Sequence, residues 1–306
     1  AMNHIHAAEK VLEILQSAER TAAHFACEIH WLQERLQIWR SRGWRIGVIG
    51  ITSSGKSTLL NALLRKQLLP ARVGPSSNTL IICTGGPVER AEIHYQDGKV
   101  ETINSEIEAR MRELGDEANN PGNHLQIREI YLSAPETMFR RNDVHLVDTP
   151  GLDAHGLVEH EKLTLDLFLP TVDLVLFVSD TKANGEGKSK EYLERVSAAG
   201  KPCVFVQNKL DAIRPKLGHD GVVIEDTDRI AQKHRIRVRA LVDGVFGANR
   251  APVLQVSAKL ARNGEPGSSG LRELVEALTS RIETLRPRLE TGRLHQVSRE
   301  IQRMTA

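Results

Sequence analysis

The 306-residue chain is long enough for one sizeable domain or two modest ones. It is 40% hydrophobic and 26% charged, with 41 basic against 39 acidic residues and a formal net charge of +2. That balance excludes disordered and collagen-like classes and gives no reason to expect a nucleic-acid partner. No apolar run approaches the ~18 residues that a spanning helix needs. The N-terminus lacks the apolar core of a secretory signal, and Ala1 ahead of Met2 reads as an added residue. Cys27, Cys83 and Cys203 sit in no disulfide or zinc spacing, so a reducing cytoplasm is the expected setting.

The first 40 residues are predicted to be helical. Val11, Leu15, Ala18, Ala22, Phe25, Ile29, Leu32, Leu36 and Trp39 recur four and three apart without an intervening proline. Such a stripe keeps one apolar seam toward a partner helix. A strand-like run at 44–51 then leads into Gly50-Ile51-Thr52-Ser53-Ser54-Gly55-Lys56-Ser57, which fits G-x-x-x-x-G-K-[ST]. A helix follows with Leu59, Leu60, Leu63 and Leu64 on its apolar side. Strand, glycine-rich turn and helix in that order are the context this phosphate-binding motif requires. Glycines let the backbone wrap closely around phosphate oxygens, which its N–H groups bind at a helix N-terminus. Lys56 supplies a positive charge to the terminal phosphates, Ser57 offers an oxygen to Mg²⁺, and Thr52, Ser53, Ser54 and Thr58 complete this side of the candidate site.

Further strand-like runs at 79–84, 91–95, 127–133, 144–147, 173–178, 203–207 and 253–256 alternate with amphipathic segments. This is the pattern of an α/β fold with a mainly parallel central sheet flanked by helices. Asp97-Gly98 predicts a hairpin turn. Asp148-Thr149-Pro150-Gly151 ends the run at 144–147, where Asp148 can hold Mg²⁺ through water and the Gly151 N–H can sense a γ-phosphate. Asn208-Lys209-Leu210-Asp211 follows the run at 203–207. A carboxylate held there accepts both the N1–H and the 2-amino hydrogens of guanine, whereas adenine would leave it unpaired. Lys209 can lay its stem over the purine and Asn208 can tie the loops together. Ser257-Ala258-Lys259 follows the run at 253–256, where the Ala258 N–H can meet guanine O6.

Arg229, Lys233, Arg235, Arg237 and Arg239 form a basic segment inside a predicted helix, read as a solvated face or as a membrane or RNA contact. A second helical seam closes the chain: Leu271, Leu274, Leu278, Ile282, Leu285 and Leu289, then Leu294, Val297, Ile301 and Met304. Pro287 is expected to kink or divide it. The two terminal helices are expected either to pack on each other or to lie separately on the domain. The divisions expected are an N-terminal helix at 1–42, a nucleotide domain at 43–265 and a C-terminal helix at 266–306.

Over roughly residues 44–260 these motifs resemble a GTPase of the dynamin superfamily, of the bacterial dynamin-like kind. Thr52-Ser53 stand in the phosphate loop where small GTPases such as Ras have glycine. Leu68-Leu69-Pro70-Ala71-Arg72-Val73-Gly74-Pro75-Ser76-Ser77 resembles the first switch of bacterial dynamin-like proteins and EH-domain ATPases. The stretch from there to Asp148 is far longer than in a small GTPase, and it ends in Ile127-Arg128-Glu129-Ile130-Tyr131-Leu132-Ser133-Ala134-Pro135, as dynamin-like domains tend to. Relatives have Thr-Thr where this chain has Ser76-Ser77, with Thr79 nearby; Ser77 is favoured to join Ser57 and Asp148 around the metal.

The resemblance implies a P-loop GTPase domain with a neck of terminal helices, using GTP and GDP with Mg²⁺. It implies a homodimer across the nucleotide, a K⁺ or Na⁺ ion held by Ser53, and peripheral work at a membrane surface or with a membrane-associated partner. Leu152 occupies the place of the water-orienting glutamine of small GTPases, and leucine neither donates nor accepts a hydrogen bond. Catalysis is therefore expected from main-chain groups of the first switch, a cation or a partner subunit, with Lys56, Ser53, Ser77 and Gly151 as candidates. Residues 180–186 are the candidate for reaching the second subunit, against an ordinary solvated loop. Arg72 is either a finger or a merely soluble side chain. Full dynamins continue into a stalk and membrane-binding tip, so a fragment or a minimal member is expected. Two other classes share the core motifs: an Era-like RNA- or ribosome-associated assembly GTPase and a GTP-gated scaffold with little hydrolysis.

Overall fold

The computed structural model describes residues 3–17, 19–40, 43–69, 79–114, 120–135, 137–139, 143–149, 151–152, 164–165, 168–181, 186–264 and 266–305. By contacts the chain divides into two compact units, one of residues 44–278 and one of 1–43 with 279–306.

The larger unit is built on one sheet. Among the described residues its strands are β1 (Trp44–Gly50), β2 (Leu80–Gly85), β3 (Arg90–Tyr95), β4 (Val100–Ile103), β5 (Ile127–Ala134), β6 (Val144–Asp148), β7 (Leu174–Ser179) and β8 (Cys203–Gln207), with β11 (Val253–Gln255) at one edge. The order is β11-β8-β7-β1-β6-β2-β5-β3-β4. β11, β8, β7, β1 and β6 run parallel, as do β2 and β5; β6–β2, β5–β3 and β3–β4 are antiparallel. The sheet is thus mainly parallel, as the alternating pattern indicated. Every residue of β1, β7 and β8 is buried, so these strands read as largely apolar runs, whereas β3 at the other edge mixes buried and exposed positions and no residue of β4 is buried. The β3–β4 hairpin turns at Asp97-Gly98, with Gly98 at φ +87° and the Lys99 N–H donating to Asp97 Oδ1 at 2.9 Å.

Helix α4 (Lys56–Leu64) packs beside β1, β2 and β6. A core around Phe177 and Phe205, whose rings stack 5.6 Å apart, takes in Tyr192 and Leu193 of α6 (Glu186–Ala198) and Val238 and Val242 of α7 (Thr227–Phe246). This unit also holds α5 (Ile107–Leu114) and the short α8 (Ala258–Arg262). A two-stranded ribbon, β9 (Lys216–Leu217) with β10 (Val223–Glu225), precedes α7; it was not expected, because two strands this short leave no hydrophobic alternation to read.

The smaller unit holds α1 (His4–Gln16), α2 (Glu19–His24), α3 (Ala26–Arg40) and the part of α9 (Leu271–Thr305) from residue 279 onward. The single N-terminal helix expected from the stripe is instead broken. Ser17 closes α1 by donating its hydroxyl to the Ile14 carbonyl at 2.7 Å, a local bond that competes with helix propagation. The chain then folds back so that α1 and α3 pack together. Ala8, Leu15, Leu32, Leu36 and Trp39 form the core with Val297 of α9, and Phe25, Ile29 and Met304 lie against it. The stripe therefore marks the right residues but not the turn. Pro287 does not divide the second seam, since α9 runs through it as one helix. Pro287 is exposed, so the helix bond it removes falls on a face where water can solvate the freed carbonyl.

Leu32 is fully buried and Ile14 is 66% exposed. Leu32→Ala should lower stability by about 2–5 kcal/mol in urea unfolding, and Ile14→Ala by no more than about 0.5 kcal/mol.

Candidate functional site

The phosphate loop leaves the end of β1, between β7 and β6, and enters α4. A Cβ on Gly50 would run into the Val178 carbonyl oxygen, and one on Gly55 would sit 2.6 Å from Asn208 Nδ2 at a φ of +88°. Only glycine fits either place. Gly55 caps α4 without a side-chain hydrogen bond, which leaves the first-turn N–H groups for an anion. Lys56 lies buried across the loop, its Nζ donating to the carbonyls of Gly50 at 3.1 Å and Ile51 at 3.4 Å. Burial pushes its ammonium down to about 8, opposed by the nearby Asp148 carboxylate. Burial likewise raises Asp148, against Lys56, the Ser57 hydroxyl and the Thr149 N–H.

Ser57 Oγ donates to Asp148 Oδ2 at 2.8 Å, while Asp148 Oδ1 is buried with no hydrogen-bond partner. A hydroxyl and a carboxylate side by side, one carboxylate oxygen unclaimed, are hard oxygen donors that fit Mg²⁺ with most of its waters retained. Thr79 and Ser54 also present buried hydroxyls without partners. Thr79 immediately precedes β2, whose Ile81 pairs with Asp148.

The segment after Asp148 is stitched to the phosphate loop. Leu152 N–H donates to the Gly50 carbonyl at 3.0 Å, and its own carbonyl accepts from Thr52 N–H at 2.8 Å and Thr52 Oγ1 at 2.9 Å. The Leu152 side chain is fully buried in the core, so this position anchors the loop and orients no water. Thr52 fixes Gly151 as well: a Cβ there would meet Thr52 Oγ1 at 2.7 Å.

The base side converges on Asn208, buried at the end of β8. Its Nδ2 donates to the carbonyls of Ser54 at 3.1 Å and Gly55 at 3.4 Å, and its Oδ1 accepts from Ala258 N–H at 3.1 Å. Its backbone N–H donates to the Ser179 carbonyl at 2.7 Å. Lys209 adopts φ 65° and reaches the Ser53 carbonyl, with Asp180 3.8 Å away. Asp211 Oδ1 accepts from Ser257 Oγ at 2.6 Å.

The structure thus brings Gly50, Thr52, Ser53, Ser54, Gly55, Lys56, Ser57, Asp148, Gly151, Asn208, Lys209, Asp211, Ser257 and Ala258 into one connected set. Thr58 is half-buried in α4, and Lys259 is exposed in α8. One detail differs from expectation: the Ala258 N–H, assigned to guanine O6, is directed at Asn208 Oδ1. Ser179 and Asp180, which hold Asn208 and Lys209, were not assigned a role at the base, because no local motif marks a strand-end carbonyl. Arg72, Ser76 and Ser77, with Pro150 and residues 182–185 of the candidate cross-subunit loop, lie outside the described residues.

Residues 46–210 match the sequence model of the Dynamin family. The chain belongs to the dynamin family. Members of this family are GTPases. The chain is 27% identical over 230 residues to the bacterial dynamin-like protein of Nostoc punctiforme, covering 71% of this chain and 30% of that one. It is 26% identical over 210 residues to the transmembrane GTPase Marf of Drosophila melanogaster, covering 67% of this chain and 24% of Marf. A solved oligomerised bacterial dynamin pair, described as a mechanism for long-range sensing and tethering of membranes, shares the fold with a TM-score of 0.57 at 17% identity, over 99% of this chain and 47% of that one. The chain therefore spans less than half the length of each of these relatives.

Lys56 loses its proton near pH 8 in the folded chain and near 10.5 when unfolded. Between those values the unfolded state binds more protons, so stability rises with pH, by about 3 kcal/mol over the window. Urea unfolding across that range should show the rise in the nucleotide-free protein and its loss in Lys56→Met.

Proposed function

We propose that this chain binds guanine nucleotides with Mg²⁺ and hydrolyses GTP to GDP and phosphate. We further propose that two copies meeting across the nucleotide complete catalysis, and that the work is done peripherally at a membrane surface. The observation that carries the nucleotide reading is the Asn208 amide, which joins the loop before α4 to the Asp211 segment. A phosphate cradle and a base-selecting carboxylate are thereby held as one site. Family membership supports GTP as substrate, and the naming of the bacterial dynamin pair supports the membrane. No helix among the described residues is long and apolar enough to cross a bilayer.

Each residue then has a physical task. The loop N–H groups and Lys56 hold the terminal phosphates, where positioning and charge stabilisation supply most of the rate. Ser57 and Asp148 would hold Mg²⁺, with Ser77 a further hydroxyl candidate, and a metal held there would supply positive charge to the phosphoryl oxygens. Asp211 accepts from the guanine edge, Lys209 covers the base, and the main chain of Ser257-Ala258-Lys259 faces O6. With Leu152 buried, the attacking water is positioned by other groups: the first-switch main chain, a K⁺ or Na⁺ held at Ser53, or the second copy through residues 180–186. The nucleotide domain at 43–265 carries the helices at 1–42 and 266–306 as a neck.

Asp211→Asn should weaken GTP binding about 100-fold and favour xanthosine triphosphate, whose C2 carbonyl can accept from the new amide. In the unsubstituted chain, GTP hydrolysis per subunit should rise with protein concentration and with K⁺ or Na⁺, while ATP is left unhydrolysed. A rate per subunit flat in concentration would exclude assistance by a second copy.

A further inference from the structure

Ten large hydrophobic side chains are exposed among the described residues, and five of them crowd into a short stretch: Leu217 at 55%, Val222 at 62%, Val223 at 53%, Ile224 at 61% and Ile236 at 64%. Clustered exposure of this kind marks an interaction surface, whereas scattered single residues need no explanation. Leu217, Val223 and Ile224 sit on β9 and β10, where Val223 pairs with Leu217, and Val222 ends the turn that joins them. The fifth is on α7, which the ribbon's last residues enter directly, Asp226 capping the helix. Glu225 of the ribbon holds Lys233 of α7 at 2.6 Å, so the ribbon lies against the first turns of that helix.

The buried side of α7 carries Val238 and Val242. At 100° per residue Ile236 points away from it, with Arg229 almost in line with Ile236 and Lys233 to one side, while Arg239 lies at the boundary and donates to the Ala251 carbonyl at 2.9 Å. Gln232, Arg235, Ile236 and Arg239 line a hollow of about 370 Å³. Among the described residues Arg229 and Arg235 place their guanidinium groups in no ion pair, and α7 carries five Lys or Arg against two Asp. The nucleotide site uses none of these groups.

The geometry points to an anionic phospholipid surface as the partner of this ribbon and helix. The aliphatic tips of Leu217, Val222, Val223, Ile224 and Ile236 would enter the headgroup boundary while the α7 cations meet lipid phosphates and carboxylates. A two-fold contact with a second copy through this face would set those cations against one another. Single-stranded RNA is recognised by stacking on aromatic side chains, and the exposed apolar residues here are all aliphatic. This assignment rests on the membrane part of the function proposed above and gives it a site.

The test is co-sedimentation of the 306-residue chain with phosphatidylcholine vesicles, with and without phosphatidylserine, alongside a fluorescent-GDP titration of each sample. Binding should require phosphatidylserine and weaken with salt. Val223→Ser/Ile224→Ser and, separately, Arg229→Gln/Arg235→Gln should each cut it about tenfold or more. Ile14→Ser, an exposed isoleucine elsewhere, should not, and GDP affinity should be unchanged in all. Absence of vesicle binding, or ribbon and helix variants that bind as the unsubstituted chain does, would overturn the assignment. Variants that lose self-association or RNA binding while keeping vesicle binding would overturn it too. Intact GDP binding in those samples would leave the nucleotide reading standing, and its loss in the unsubstituted chain would remove that reading independently.

Discussion

The site depends on one buried side chain, the Asn208 amide. Its nitrogen donates to the carbonyls just before α4 and its oxygen accepts from the first N–H of α8. Three loops from three different strands are thereby held in one register. An asparagine suits the place because it offers donors on one end and an acceptor on the other, with no charge to desolvate. Aspartate would lose the donors, and leucine would leave a buried N–H and two carbonyls unsatisfied. The fit leaves no room on the loop side, which is why residue 55 has no side chain.

Around this neutral hub the charges are placed where water cannot screen them. Lys56 and Asp148 are both buried, and each is disfavoured in its ionised form by burial and supported by the other. Such an arrangement stores an unfavourable term that a triphosphate and a divalent cation would relieve, since they bring opposite charges to both groups. The same burial accounts for Leu152, whose side chain belongs to the core and whose main chain ties the Asp148 segment to the phosphate loop. Anchoring occupies the position that a water-orienting group would need.

Much of this was legible in the amino-acid order because its signals are local. Buried parallel strands leave largely apolar runs, and the glycines and lysine of the phosphate loop sit at fixed offsets from one of them. The Asn-Lys-x-Asp segment could be placed at the base because it ends another such run. Signals that depend on partners distant in sequence were lost. The stripe at 11–39 marks the bundle core but cannot say that the chain folds back at Ser17. Pro287 reads as a break until its exposure is known, and the Ala258 N–H reads as a base contact until Asn208 is seen to occupy it. The β9–β10 ribbon has too few residues to show alternation.

The central claim is that a guanine-selecting carboxylate and a phosphate cradle form one site through Asn208. Calorimetric titration of the purified chain with GDP and with ADP, each with Mg²⁺, tests it most directly. The account predicts saturable one-to-one binding of GDP and none of ADP at the same concentrations. Equal or tighter binding of ADP would contradict it.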